Sequence, residues 1–312
     1  MLNNNIQLYK AQHNHSLKSN LELFIEPVLS DFLIFGRFLF GIFFLIHTFV
    51  MVENGIFIII TRVQSVLQTP VYFFLANISS LEICYVSVTV PSILVNLWTH
   101  NTRISLLVCA TQMCLFLMLE ATECFLLVLM AHDCYVAICK PLQCPLVMCV
   151  QLTIGSWICG ILVQIEQTYQ IFSLPFCGSS QVSHLCDLIV LIMSVCGDTS
   201  LNEIVYIVTI LFAMISFLLV LGHNSKSSPP LKLPSSTSQF KASSTCFFHL
   251  MVVVLFFGSF PITFLRTKSR SYKMLSLLYI FVTPLFNLMI YSLRNKGVIA
   301  ALKKLLLKKT ER

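Results

Sequence analysis

The sequence predicts an all-α membrane protein: a seven-transmembrane helix bundle with a short amphipathic C-terminal helix. Three observations carry this prediction. Of 312 residues, 57% are hydrophobic and only 11% are charged, against about a quarter charged in soluble domains. Seven apolar stretches are each long enough to cross a hydrocarbon core of about 30 Å, which takes about 20 residues of helix. Basic residues favour alternate connecting segments, the pattern that sets orientation in a bilayer. A water-soluble fold this apolar would expose large greasy patches and aggregate.

The spans fall near 34–61, 70–97, 104–133, 152–173, 201–222, 244–265 and 274–293. Each must satisfy its own backbone hydrogen bonds in lipid, so each is a helix. The fourth is interrupted by Gln164, Glu166 and Gln167, and the sixth carries Pro261 near its far end. Residues 1–33 form a predicted extracellular tail, 34–293 the seven-helix domain and 294–312 a cytoplasmic tail. The first 31 residues carry Asn, His, Lys and Glu and lack the apolar core of a cleavable signal peptide. The first span is therefore expected to serve as the insertion signal.

With the N-terminus outside, the inner segments hold Arg62, Lys140, Lys226, Lys232, Lys241 and the seven basic residues from Arg294 to Arg312. The outer segments hold Lys10, Lys18, Arg103, Arg266, Lys268, Arg270 and Lys273. Twelve against seven predicts a multi-pass protein with its N-terminus extracellular. Beyond the last span, Leu302, Leu305 and Leu306 form a stripe among lysines, which suits a short helix on the inner leaflet.

No HExxH, P-loop or G-x-S-x-G motif is present, and the eight histidines are scattered. No enzyme, metal centre or cofactor is predicted, and no nucleic-acid partner. A transporter is the alternative from another class; it would show internal repeats around broken helices, and no repeat is evident. Thirteen cysteines cannot all pair internally. Those inside apolar spans, such as Cys84, Cys114, Cys124, Cys159 and Cys246, are expected to be packed thiols. Asn14-His15-Ser16 is a glycosylation sequon in the outer tail, whereas Asn77-Ile78-Ser79 lies inside a span.

The segment Met130-Ala131-His132-Asp133-Cys134-Tyr135-Val136-Ala137-Ile138-Cys139-Lys140-Pro141-Leu142 closely resembles the end of the third helix of odorant receptors, M-A-Y-D-R-Y-V-A-I-C-K-P-L. Leu67-Gln68-Thr69-Pro70-Val71-Tyr72-Phe73-Phe74-Leu75 resembles the start of their second helix. Lys241-Ala242-Ser243-Ser244-Thr245-Cys246 with His249-Leu250 is similar to the start of the sixth, and Thr283–Lys296 to the end of the seventh. The likeness runs from about Gln68 to Leu306.

The resemblance implies a plasma-membrane receptor that binds a small organic odorant inside the bundle and signals through a stimulatory, olfactory-type heterotrimeric G protein. It implies one disulfide between Cys109 and Cys186 and a second between Cys177 and Cys196. It places Asn54, Glu82, Glu123 and Asn287 in an internal polar network. It gives Asp133, Cys134, Tyr135, Asn287 and Tyr291 positions on the activation route. The pocket is expected to be mostly apolar with few polar contacts. Its candidates are Phe116, Leu117, Glu120 and Ala121 on the third helix, Ile207 and Leu211 on the fifth, and Phe257, Phe260 and Phe264 on the sixth. The same spacing also suits plain packing.

The chain departs from the family pattern at several points. Cys134 replaces the arginine that meets the G protein, and cysteine supplies no guanidinium fork. Leu288 replaces the proline of N-P-x-x-Y. Gly222-His223 stands for Ser-Tyr, Phe257 for Tyr, and Glu53 for Gly. Glu120 stands where glycine is usual; it either binds an amine or alcohol or sits protonated, since an unpaired buried charge is unfavourable. Together these changes predict weak or absent coupling. The alternative reading is a non-signalling receptor-like protein or the product of a decayed gene copy.

Overall fold

The computed structural model describes residues 22–25, 33–99, 103–139, 146–174, 181–182, 207–208, 210–211, 214–222, 250–254 and 256–257. Four long helices dominate: α1 (Leu33–Val63), α2 (Pro70–Thr99), α3 (Leu106–Cys139) and α4 (Leu146–Ser173). All four are long and apolar enough to cross a membrane. The described residues near 207–222 and 250–257 are also helical, inside the expected fifth and sixth spans. The seventh span, the connection between the fifth and sixth spans and the C-terminal helix lie outside the described residues.

The helix ends follow local chemistry. Pro70 opens α2 at a position where its missing N–H costs nothing. Between α1 and α2, a single 3-10 turn (Ser65–Leu67) closes with the Leu67 N–H donating to the Gln64 carbonyl at 3.0 Å. Leu67 is buried and anchors the turn to the core. The helix α4 begins at Leu146 rather than at 152, so it extends inward past the apolar run that predicts it.

Side-chain hydroxyls and amides close back onto their own helices. Thr48, Thr61, Ser80, Thr89, Thr111, Thr122 and Ser156 each donate to the carbonyl four residues earlier. Asn54 and Asn77 do the same through their amide nitrogens. In lipid no water can take these protons, so the helix itself accepts them.

Neighbours in sequence pack as neighbours in space: α1 on α2, α2 on α3, and α3 on α4. Half of the most apolar window of α3 is buried inside the protein, against 22% for α1. Among the four described spans α3 is therefore the most enclosed and α1 the least. One face of α1, with Phe38, Phe44, Leu45, Phe49, Val52, Ile56 and Ile59, is exposed to the surroundings. Its other face packs Phe43 and Val50 against Val86, Val90 and Ile93 of α2.

Hydrophobicity does not drive helix association in lipid; close packing at small residues does. Gly160 provides it between α3 and α4. A Cβ there would lie 2.6 Å from Thr122 Oγ1 and 3.1 Å from the Met118 carbonyl oxygen.

A three-stranded sheet was not expected from the sequence. Its strands are β1 (Glu22–Ile25), β2 (Arg103–Ser105) and β3 (Gln181–Val182), in the order β2-β1-β3. Glu22 pairs with Ser105 and Phe24 with Arg103, antiparallel. Phe24 also pairs with Gln181, in parallel. The sheet joins the chain before α1, the α2–α3 connection and the segment after α4 at one end of the bundle.

Candidate functional site

Two sets of functional candidates lie on the described helices at different depths. At 1.5 Å per residue, Asn54 is about 14 Å from the sheet-distal end of α1, and Glu82 is about 18 Å from the corresponding end of α2. Glu123 is about 15 Å from Asp133, measured along α3. All three are buried. The Asn54 amide nitrogen donates to the Val50 carbonyl at 3.0 Å, while its Oδ1 has no hydrogen-bond partner. Ser79 Oγ, one turn from Glu82, is also buried without a partner. Glu82 and Glu123 both interact with their surroundings. Asn287, the fourth residue expected in this network, lies outside the described residues.

One turn toward the sheet, the wall of α3 changes character. Cys109, Met113, Cys124 and Leu127 are closed off, at 0 to 2% exposure. Phe116 and Glu120, on the same side of the helix, are only half-buried. Leu117 is buried and Ala121 half-buried beside them. The Phe116 ring meets Tyr85 of α2, centroids 5.1 Å apart and planes tilted by 42°. This is where the structure brings the α3 ligand candidates together.

The other candidates are dispersed. Ile207 and Leu211 are each 54% exposed and lie on the face opposite the buried Ser216 and Val220. Phe257 is buried in the core cluster, its ring 5.3 Å from Phe217 and 5.1 Å from Phe256. Phe260 and Phe264 lie outside the described residues, as do Asn14 and Tyr291.

At the sheet end, Cys109 is disulfide-bonded and fully buried, four residues beyond β2. Cys177, Cys186 and Cys196 are outside the described residues. Cys84, Cys114, Cys124, Cys149 and Cys159 are not disulfide-bonded. Cys124 and Cys149 are buried as expected of small apolar groups, whereas Cys84 and Cys159 are exposed on helix surfaces. At the opposite end, α3 runs on through Asp133, Cys134 and Tyr135 to Cys139, and Asp133 is buried. Among the described residues no group of His, Cys, Asp and Glu could hold a metal ion.

Sequence reasoning singled out Gln164 and Gln167 only as interruptions of a span. Both are 3% exposed. Gln164 Oε1 and both polar atoms of Gln167 lack hydrogen-bond partners among the described residues. Glu166 between them is exposed and accepts a hydrogen bond from Gln170 Nε2 at 2.9 Å. The helical period turns 164 and 167 inward and 166 outward, a signal readable from the spacing alone.

Residues 42–309 match the family model described as "Olfactory receptor". Olfactory receptor 10AG1 of Homo sapiens is 48% identical over 281 residues, covering 86% of this chain and 93% of that protein. Olfactory receptor 10A4 of Homo sapiens is 44% identical, covering 86% of this chain and 89% of the relative. Olfactory receptor 10A3 of Homo sapiens is 40% identical, covering 92% and 96%. Among solved structures, squid rhodopsin matches with a TM-score of 0.63 at 14% identity, covering 85% of this chain and 83% of its own. That likeness gives the fold: an all-α, seven-transmembrane bundle. With a family model spanning most of its length, the chain belongs to the olfactory receptor family.

Proposed function

We propose that this protein is an odorant receptor of the plasma membrane, with its N-terminus extracellular, that binds small organic molecules inside the helix bundle. The observation that carries this reading is family membership over residues 42–309. The half-buried Phe116 and Glu120, on a stripe of α3 where Cys109, Met113, Cys124 and Leu127 are closed, support it. Phe116, Leu117, Glu120 and Ala121 form the α3 wall of the pocket in this reading. The protein is a receptor and not an enzyme, and its downstream partner is a stimulatory heterotrimeric G protein. The buried Asn54, Glu82 and Glu123, together with Asn287, act as the internal polar layer that changes with activation.

The outer face is organised by disulfides. Cys109, already bonded, pairs with Cys186 in this reading, and Cys177 pairs with Cys196. Asn14 carries a glycan. The tail 1–33, the helical domain 34–293 and the cytoplasmic tail 294–312 are the three parts of the chain.

A second reading is favoured by one residue. Cys134 occupies the position after the buried Asp133 where the family pattern has arginine. A thiol cannot make the bidentate, permanently charged contact of a guanidinium. Coupling is therefore weak or absent, and the chain acts as a ligand-binding protein without strong signalling. One cellular experiment separates the readings. Surface labelling of an N-terminal tag in intact cells is expected to succeed. An odorant panel is expected to raise cAMP at least about tenfold more strongly in the Cys134→Arg variant than in the unmodified chain, as losing about 1.4 kcal/mol of differential binding implies. Strong odorant-driven cAMP from the unmodified chain removes the second reading, and substrate flux in proteoliposomes would favour a transporter over both.

A further inference from the structure

We propose that the opening beside Glu120 selects amines, taking the ammonium group on the Glu120 carboxylate and the organic body along Phe116 and Leu117. This rests on the odorant-binding reading above and narrows its ligand to a chemical class.

The first support is geometric. Glu120 lies on the stripe of α3 that holds Cys109, Met113, Cys124 and Leu127, all closed to the surroundings. Yet Glu120 and Phe116 both keep accessible surface. That surface is turned away from the exposed face of α3. Leu115, which is exposed, lies about 140° around the helix from Glu120 at 3.6 residues per turn. Accessible surface with closed turns above and below, on the inward side of the most enclosed helix, is the wall of an internal opening. Phe116 and Glu120 are four residues apart, so their side chains lie one above the other on that wall.

The second support is chemical. Glu120 makes no hydrogen bond or ion pair among the described residues. The carboxylates and imidazoles that α1–α4 hold away from their surfaces are those of Glu53, Glu82, Glu120, Glu123, Asp133 and a single histidine, His47. Arg37 and Arg62 are exposed near the ends of α1, and His132 is exposed near the end of the α3 span. Among the described residues, the interior of α1–α4 therefore carries acidic groups and no permanent cation. A carboxylate in such a place is unfavourable alone and is relieved by a cation brought to it. The tilted Tyr85–Phe116 pair adds aromatic faces, which attract an ammonium group further. An alcohol would use the hydrogen bond and neither of the other two features.

The test uses the full-length protein in lipid nanodiscs and reads binding from the thermal unfolding midpoint, so it is independent of coupling through Cys134. Three shape-matched probes are compared: cyclohexylmethylamine, cyclohexylmethanol and methylcyclohexane. The amine is expected to raise the midpoint at a concentration at least about thirtyfold lower than the alcohol, the low end for a buried charge pair. Glu120→Gln, nearly identical in shape, is expected to abolish that advantage while alcohol binding persists, and Glu120→Asp to restore part of it. Glu166→Gln, on the outer surface of α4, is expected to leave the advantage intact. Equal binding of amine and alcohol by the native chain, or an amine advantage that survives Glu120→Gln, overturns the proposal and leaves odorant binding standing. If no probe and no member of a broad odorant panel shifts the midpoint, the odorant-binding reading fails and the amine proposal fails with it.

Discussion

Gln167 shows how much a single side chain can cost at membrane depth. Its amide is buried, and neither the nitrogen nor the oxygen has a partner among the described residues. Leaving a buried polar group unpaired costs about 1–3 kcal/mol, while replacing it by an apolar group of similar shape is close to neutral. Gln167→Leu is therefore expected to leave the thermal midpoint unchanged or raise it. Gln167→Ala opens a cavity and is expected to lower it, in line with the few kcal/mol typical of buried large-to-Ala changes. A drop with leucine as large as with alanine would show that the amide is paired after all. The sequence makes Gln164, Glu166 and Gln167 visible as polar breaks, and helical spacing sorts them inward and outward. Their lack of partners is a property of what α3 and its neighbours present to them, and no local pattern encodes that. Cys134 is the opposite case: its chemistry is plain from the sequence, since thiol and guanidinium differ whatever surrounds them.

Among the elements, the contact of α3 with α4 is the most specified. Gly160 lets Thr122 approach, and the Thr122 hydroxyl is itself held by the Met118 carbonyl at 2.8 Å. A side chain at 160 meets a fixed partner and not a flexible tip. Gly160→Leu is expected to destabilise the protein by about 1–3 kcal/mol, the usual range for overpacking, with Gly160→Ala milder; unfolding in detergent measures both. An unchanged midpoint for the leucine variant would mean that α4 can slide away from α3 freely. The existence of α1 to α4 was legible because each is a long apolar run, and length alone decides a membrane helix. Their ends were less so. The helix α4 starts at Leu146 because helical geometry continues past the apolar window, into residues that hydropathy scores as loop.

At the scale of the whole molecule, the expected up-and-down bundle is confirmed through α4, and the likeness to squid rhodopsin extends it to seven helices. The sheet at one end was not legible. Its strands are two to four residues long, too short for alternation to register, and their partners are far apart in sequence. Phe24 is paired on both sides, to Arg103 and to Gln181. Phe24→Pro removes a donor from the central strand. It is expected to increase protease cleavage within residues 22–25 in intact membranes while the four helices persist by circular dichroism. Unaltered cleavage would show that the strand contributes nothing to holding this end together. The α3 ligand candidates were named from the sequence, but the closed turns on either side of Phe116 and Glu120 were visible only in three dimensions.

The sheet is held by main-chain bonds, which do not depend on which side chains the three segments carry. Mutations can therefore accumulate along that rim without undoing its clasp. The pocket wall proposed at Phe116 and Glu120 has no such tolerance, since what it would accept is set by the side chains themselves. Over generations a chain built this way can change its chemical taste one residue at a time beneath a frame that stays put.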